Sequence, residues 1–374
     1  MQLSQIAAIL AFTASAVAQN AQIAKRDPPR NGGDCNKAGW NGCYNPVGLA
    51  DAMMQRGREF VGFALTIRND SAELSVQSNT YEEDFNSVTP ENDMKWEVTE
   101  PQRNVFNFNG SDKIVQFATS RGYEIHCHNL VWHSQLPPWI AAGNFSNATL
   151  ISIMENHIKN LAGRYADVCT RWDVVNEALN EDGTYRSSPW FNTIGEAFLP
   201  IAFKFAAQYS PKSKLYYNDY NLEYNGNKTV GAKRIVDLIK SYGVRIDGVG
   251  LQAHLTTEPT PSSGGGVTPS QDTLETVLKG FTKKGVSVVY TELDERLVVP
   301  ATKAKLEIQK QTFKTVAASC LAVKGCVGIT LWGVSDKYSW IPGVFAGEGA
   351  ALVWDENFQK KPAYYGMLEG IQKG

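Results

Sequence analysis

Leu150-Ile-Ser-Ile-Met-Glu-Asn-His-Ile-Lys-Asn-Leu-Ala-Gly-Arg-Tyr165 places Leu150, Ile151, Met154, Ile158, Leu161 and Tyr165 at helical spacing. It is followed by Arg171-Trp-Asp-Val-Val-Asn176, a short apolar run that closes on a polar residue. An amphipathic helix feeding a continuous apolar run is one unit of a parallel sheet: each strand is covered on both faces, while its crossover helix shows one apolar stripe. The same grammar recurs along the chain. Ile235, Leu238 and Ile239, with Gly243 as the helix C-cap, precede Asp247-Gly-Val-Gly-Leu-Gln252. Thr268-Pro-Ser-Gln271 reads as a capping box with proline at the first helical position. Its helix stops at Gly285, before the strand Val286 to Thr291.

Eight such strand runs are found: Glu59–Ala64, Phe85–Val88, Tyr123–His128, Arg171–Asn176, Lys214–Asp219, Asp247–Gln252, Val286–Glu292 and Gly328–Trp332. Eight βα units with no second composition regime predict an α/β fold, a (β/α)8 TIM barrel forming a single catalytic domain over 47–374. The 374 residues are 43% apolar and 20% charged, which excludes a disordered or collagenous chain. A net charge of −2 gives no footprint for nucleic acid. A monomer acting on its own is the expected state.

Residues 1–18 read as a signal peptide, with an apolar run from Leu3 to Val17 that is too short to span a bilayer and closes on Ala16-Val-Ala18; a disordered amino terminus is the alternative. Lys25-Arg26 reads as a propeptide site ending a 19–26 segment, and 27–46 as an amino-terminal loop. Removing residues 1–26, whose only charges are those two, takes the net charge from −2 to −4. A secreted chain fits six cysteines and Asn-X-Ser/Thr glycosylation acceptors at Asn69, Asn109, Asn144, Asn147 and Asn227, although such tripeptides also arise by chance. Cys320 with Cys326, and Cys35 with Cys43, lie close enough in sequence to close as local disulfides. Cys127 and Cys169 fall in or beside strand patterns and are read as buried free thiols, the default behaviour of an apolar cysteine.

In a parallel barrel the site is built at the carboxyl ends of the strands. Here those ends are polar: Glu91 and Asn92, His128, Asn176 and Glu177, Asn218 and Asp219, Gln252 and His254, Glu292, and Trp332. Glu177 and Glu292, closing the fourth and seventh strands, suit a retaining glycosidase, in which one carboxyl donates a proton and the other attacks the anomeric carbon. Asn176 is placed to bond a sugar hydroxyl beside the cleaved bond, and His254 to orient Glu292. Trp132, Trp332 and Trp340 offer flat faces for pyranose rings, with Lys95, His128 and Gln135 as donors. Each has a bland alternative as core or solvated surface; their clustering on one face is the argument. This chemistry asks for no cofactor and no metal, and no ligand spacing stands out.

Six ordered stretches carry a family resemblance: Thr89-Pro-Glu-Asn-Asp-Met-Lys-Trp96, His128-Asn-Leu-Val-Trp-His-Ser-Gln135, Trp172-Asp-Val-Val-Asn-Glu177, Gly250-Leu-Gln-Ala-His254, Thr291-Glu-Leu-Asp294 and Trp332-Gly-Val-Ser-Asp-Lys-Tyr-Ser-Trp340. The chain from about residue 45 to 370 resembles glycoside hydrolase family 10. The resemblance implies a secreted endo-β-1,4-xylanase with retaining chemistry, acting on xylan and xylo-oligosaccharides. By position, Glu177 resembles the acid/base and Glu292 the nucleophile. Glu91, Asn92, Lys95, His128, Trp132, Gln135 and Trp340 resemble glycone contacts, and Tyr220 an aglycone stacker. Asn176, Gln252, His254, Asp294 and Trp332 resemble partners around the cleavage point. The Cys320/Cys326 pair resembles a disulfide common in fungal members. Asn129 and Cys127 depart from the family pattern of Thr and Gly, so packing beside His128 is expected to differ. The 27–46 loop has no counterpart. Two glutamates and stacking tryptophans do not by themselves name the sugar; a β-1,4-glucanase or mannanase on the same scaffold, or a non-catalytic carbohydrate-binding or inhibitory barrel, are the alternatives.

Overall fold

The computed structural model describes residues 48–78 and 84–374. The signal peptide, the dibasic site and the Cys35/Cys43 loop expected from the sequence lie outside these residues. Eight parallel strands close on themselves: β1 (Phe60–Leu65), β2 (Ser87–Pro90), β3 (Glu124–Val131), β4 (Cys169–Asn176), β5 (Lys214–Asp219), β6 (Gly248–Leu251), β7 (Ser287–Val298) and β8 (Cys326–Leu331). Each pairs with its successor, and β8 pairs back to β1 through Val61 opposite Ile329, so the barrel has no edge. The strands are buried along almost their whole length, as continuous apolar runs covered on both sides require.

The quoted helix forms as Asn147–Arg164, capped by the Ser146 hydroxyl, which accepts from Thr149 N. Its buried residues include Leu150, Met154, Ile158 and Leu161 of the stripe read from the sequence, whereas Ile151 is only half-buried and Ile153 turns inward instead. Gly243, at φ 69° just beyond the helix Asn227–Ser241, takes the left-handed conformation that glycine tolerates. The expected capping box moves: Ser270, not Thr268, caps the helix Gln271–Thr282 by accepting from Thr273 N. Pro269 therefore precedes the cap, where its missing N–H costs nothing.

The thiol reading of Cys127 and Cys169 is corrected. They form a disulfide joining β3 to β4, with Cα atoms 5.8 Å apart. Successive strands of a parallel barrel are neighbours, and a register shift after Ile125 accompanies the approach of Cys127 to the start of β4. Cys320 and Cys326 are bonded as expected. Next to Cys127, the His128–Asn129 peptide is cis, and Asn129 Nδ2 lies 3.3 Å from His128 Nε2.

The expected seventh strand ends at Glu292, whereas β7 continues to Val298. Beyond the barrel it pairs with the short strands His254–Thr256 and Glu348–Gly349. At the opposite end, the helix Leu49–Gln55 packs on the last helix, Pro362–Lys373, and the Arg56 guanidinium donates to the Gln372 carbonyl at 2.8 Å. The five candidate acceptor asparagines are all exposed.

Candidate active site

The turn after β4 fixes Glu177. Its φ of 55° lies in the left-handed region that a side-chain-bearing residue seldom adopts, and its N–H donates to the Asn218 carbonyl at 2.9 Å. Such a conformation persists only where its surroundings impose it, which is characteristic of functional sites. Glu177 Oε1 accepts from Gln252 Nε2 at 3.0 Å, while Oε2 accepts no hydrogen bond from the described residues and stands 3.9 Å from His133 Nδ1.

Glu292 lies on β7 where the register against β8 shifts between Tyr290 and Leu293. Both its oxygens are occupied: Oε1 accepts from Asn218 Nδ2 at 2.7 Å, and Oε2 lies 3.1 Å from His254 Nε2. The other nitrogen of His254 faces Asp294 Oδ2 at 2.9 Å, and that oxygen also accepts from Trp340 Nε1 at 2.8 Å. Burial disfavours charge on His254, but Asp294 and Glu292 outweigh it and push the imidazole up to about 10. An imidazolium thus bridges two carboxylates, with a donor for each.

A row of amides links the two glutamates. The Asn176 carbonyl accepts from Asn218 Nδ2 at 2.9 Å and from Gln252 Nε2 at 3.3 Å. Both of those NH2 groups also donate to a glutamate, so the Asn176 atom facing them must be its oxygen. Gly250 makes room for the row, since a Cβ there would stand 2.2 Å from Asn218 Oδ1.

On one flank, Lys95 Nζ donates to Asn92 Oδ1 (3.0 Å) and Gln135 Oε1 (2.7 Å) and lies 5.1 Å above the Trp132 ring. Burial lowers its pKa, against the pull of Glu292, Glu91 and Glu177. Glu91 accepts from the Thr66 hydroxyl at 2.5 Å. His128 Nδ1 lies 2.8 Å from Asp173 Oδ2, and His126 meets the other oxygen of Asp173. Burial pushes Asp173 up, but the two imidazoles outweigh it and hold it at about 2. Trp332 stands edge-on to His128 and His254, its ring 5.3 and 6.2 Å from theirs.

On the other flank, beyond Glu177, the Tyr220 hydroxyl accepts from Arg186 at 2.6 Å, and Arg186 also reaches His133 Nε2 at 3.4 Å. Lys228, almost fully buried, pairs with Asp219 at 3.1 Å beneath the Tyr220 ring. The structure therefore brings the two glutamates and the supporting and sugar-binding residues expected from the sequence to one end of the barrel, while the Cys35/Cys43 pair lies outside the described residues. It adds Asn218, which the reading named at a strand end without a role, together with Asp173, His133, Arg186 and Lys228. His133 lies inside the quoted 128–135 stretch, which was the available signal for it. Arg186, in a loop, and Lys228, in the first turn of the helix Asn227–Ser241, carry no such mark. Among the described residues no cluster of His, Cys, Asp or Glu side chains is arranged to hold a metal ion.

A closed parallel barrel with two glutamates at its mouth, one fully hydrogen-bonded and one with an open oxygen, defines a barrel glycosidase. The sequence profile described as Glycosyl hydrolase family 10 matches residues 48–370, and the chain belongs to that family. It is 64% identical to endo-1,4-beta-xylanase 2 of Aureobasidium pullulans, over 87% of this chain and 90% of that one. Endo-1,4-beta-xylanase A of Fusarium oxysporum is 55% identical, with 87% and 99% covered. Among solved structures, the GH10 xylanase from Bispora sp. MEY-1 with xylobiose superposes with a TM-score of 0.81 at 38% identity, covering 86% of this chain and 99% of that one.

Proposed function

We propose that this protein is a secreted endo-β-1,4-xylanase that cleaves internal xylosidic bonds with retention. The observation that carries this reading is the contrast between the two glutamates. Glu292, with both oxygens accepting and an imidazolium alongside, is arranged as an anion, the form that attacks the anomeric carbon. Glu177, with Oε2 open, has an oxygen free to carry a proton to the departing sugar and later to take one from water. Asn176, fixed through its carbonyl, offers its NH2 to a hydroxyl of the ring under attack. Glu91, Asn92, Lys95, His128, Trp132, Gln135 and Trp340 hold the glycone, and Tyr220, on the Glu177 side, meets the leaving aglycone. Xylan as substrate is supported by the relatives named as endo-1,4-beta-xylanases and by the xylobiose in a similar structure.

Secretion is supported by two disulfides among the described residues and by the exposed Asn-X-Ser/Thr acceptors. We place the signal peptide at 1–18, a propeptide at 19–26 and the mature start at Asp27, with the barrel acting as a monomer. Amino-terminal sequencing of secreted protein is expected to read from Asp27.

The experiment is reducing-sugar release on glucuronoxylan, carboxymethylcellulose and mannan, with Glu292→Ala as the blank. Release from xylan, at least about 10⁴-fold above the variant, is expected. Release mainly from a glucan or mannan overturns the substrate, and none from all three overturns catalysis. Glu177→Ala is expected to slow xylan cleavage more than cleavage of an aryl xylobioside whose leaving group needs no proton.

A further inference from the structure

The extension of β7 above the barrel carries a buried cation that the chemistry so far leaves unused. Arg296 is 7% exposed. It shares a face of the strand with Asp294, two residues earlier. Its guanidinium joins four pieces of chain. Nε donates to Glu348 Oε2 at 2.8 Å, and Nη2 to the Ser262 hydroxyl at 3.1 Å. Nη1 reaches the main-chain carbonyls of His254 and Leu255 at 3.3 and 3.4 Å. Its central carbon lies 4.5 Å above the Phe345 ring, which in turn stands 5.5 Å from the ring of Trp340. Glu348 is gripped from the other side by Ser262 N at 3.0 Å and the Ser262 hydroxyl at 2.9 Å.

Two of those pieces matter for the reaction. The carbonyl of His254 belongs to the residue whose ring touches Glu292, and the Phe345 segment carries Trp340, whose indole N–H shares Asp294 with that ring. A buried ion pair adds little net stability over an apolar replacement, because desolvation offsets the attraction. What a rigid, five-donor fork supplies is orientation.

We propose that Arg296, held by Glu348, is a positioning residue for the reaction: it sets His254 against Glu292 and seats Trp340 over the glycone. The inference rests on Glu292 being the nucleophile. Misplacement of a reacting partner by about an ångström can cost about 10²-fold in rate.

The test uses the full-length enzyme and a 2-deoxy-2-fluoro xylobioside with a dinitrophenyl leaving group. The burst of phenolate counts competent sites, and peptide mapping locates the label. Arg296→Met is expected to slow trapping per titrated site by at least about tenfold, with Arg296→Lys in between and Ser262→Ala slower by about threefold. Arg296→Met/Glu348→Leu, which leaves no stranded carboxylate, is expected to show the same slow trapping. A merely structural role would change the number of titrated sites and leave the rate per site alone. Rates within twofold of the parent in both methionine variants overturn the inference by itself. A parent enzyme labelled elsewhere than Glu292, or not at all, overturns the reading of the nucleophile and the inference with it.

Discussion

Asn218 serves both glutamates at once. Its NH2 donates to Glu292 and Asn176, its carbonyl oxygen accepts from the Thr291 hydroxyl at 2.6 Å, and its main-chain carbonyl holds Glu177 N. A hydrogen bond to a charged group contributes roughly 1.5–3 kcal/mol, so Asn218→Ala is expected to lower kcat on an aryl xylobioside by about 10- to 100-fold. KM is expected to change by less than about threefold, because the lost bond acts on an enzyme carboxylate rather than on bound sugar. Steady-state kinetics check this, and a change confined to KM would contradict it. At this scale the glutamates were legible because each closes an apolar run, where a barrel puts its chemistry. The partnership of Asn218 with both was not, since it depends on the register of β4, β5 and β6 and on the missing Cβ at Gly250.

The two disulfides allow a comparison at the scale of elements. The β3–β4 bridge closes a loop of 42 residues and the Cys320–Cys326 bridge one of 6. Chain entropy then assigns about 4 kcal/mol to the first and about 2 kcal/mol to the second. Replacing Cys127 and Cys169 with alanine is expected to lower Tm by about twice as much as replacing Cys320 and Cys326, measured by calorimetry on secreted protein. The short bridge was readable from spacing alone. The long one needed knowledge that β3 and β4 are neighbours in matching register, which apolar patterning does not carry. The continuation of β7 past Glu292 was hidden for the same reason: Leu293 to Val298 is extended because two distant segments pair with it, not because of its own alternation.

For the molecule as a whole, the buried carboxyls set how stability depends on pH. Burial pushes Asp219 up to about 6 against Lys228, with Glu177 adding to the rise; burial also lifts Asp336 to about 6 against Lys361, and Glu223 to about 7. Unfolded, these groups lose their protons near pH 4. From pH 4 to 6 or 7 the folded chain therefore holds more protons than the unfolded one, and stability falls as pH rises by about 1.4 kcal/mol per unit for each group. His254, kept protonated to about 10, extends the decline above pH 6.5. Asp173, held at about 2, works in the opposite direction, its stabilisation lost as pH drops below 4. Chemical denaturation across pH 2 to 10 is expected to peak near pH 4, and a maximum at or above pH 7 would contradict the assignment. The barrel itself was legible from eight repeats of one pattern. The polar interior that produces this pH response was not, because burial of Asp219, Glu223 and Asp336 is a property of the closed fold.

The contact between Arg56 and the Gln372 carbonyl has a practical meaning. It brings the first described helix and the last together at the end of the barrel opposite the strand ends that carry Glu177 and Glu292. A short peptide linking Gly374 back to Gly48, with new ends opened in an exposed loop, is expected to give a circularly permuted enzyme that still degrades polysaccharide. Cargo fused after Gly374 would hang below the molecule and leave the cleft free to ride along a polymer strand.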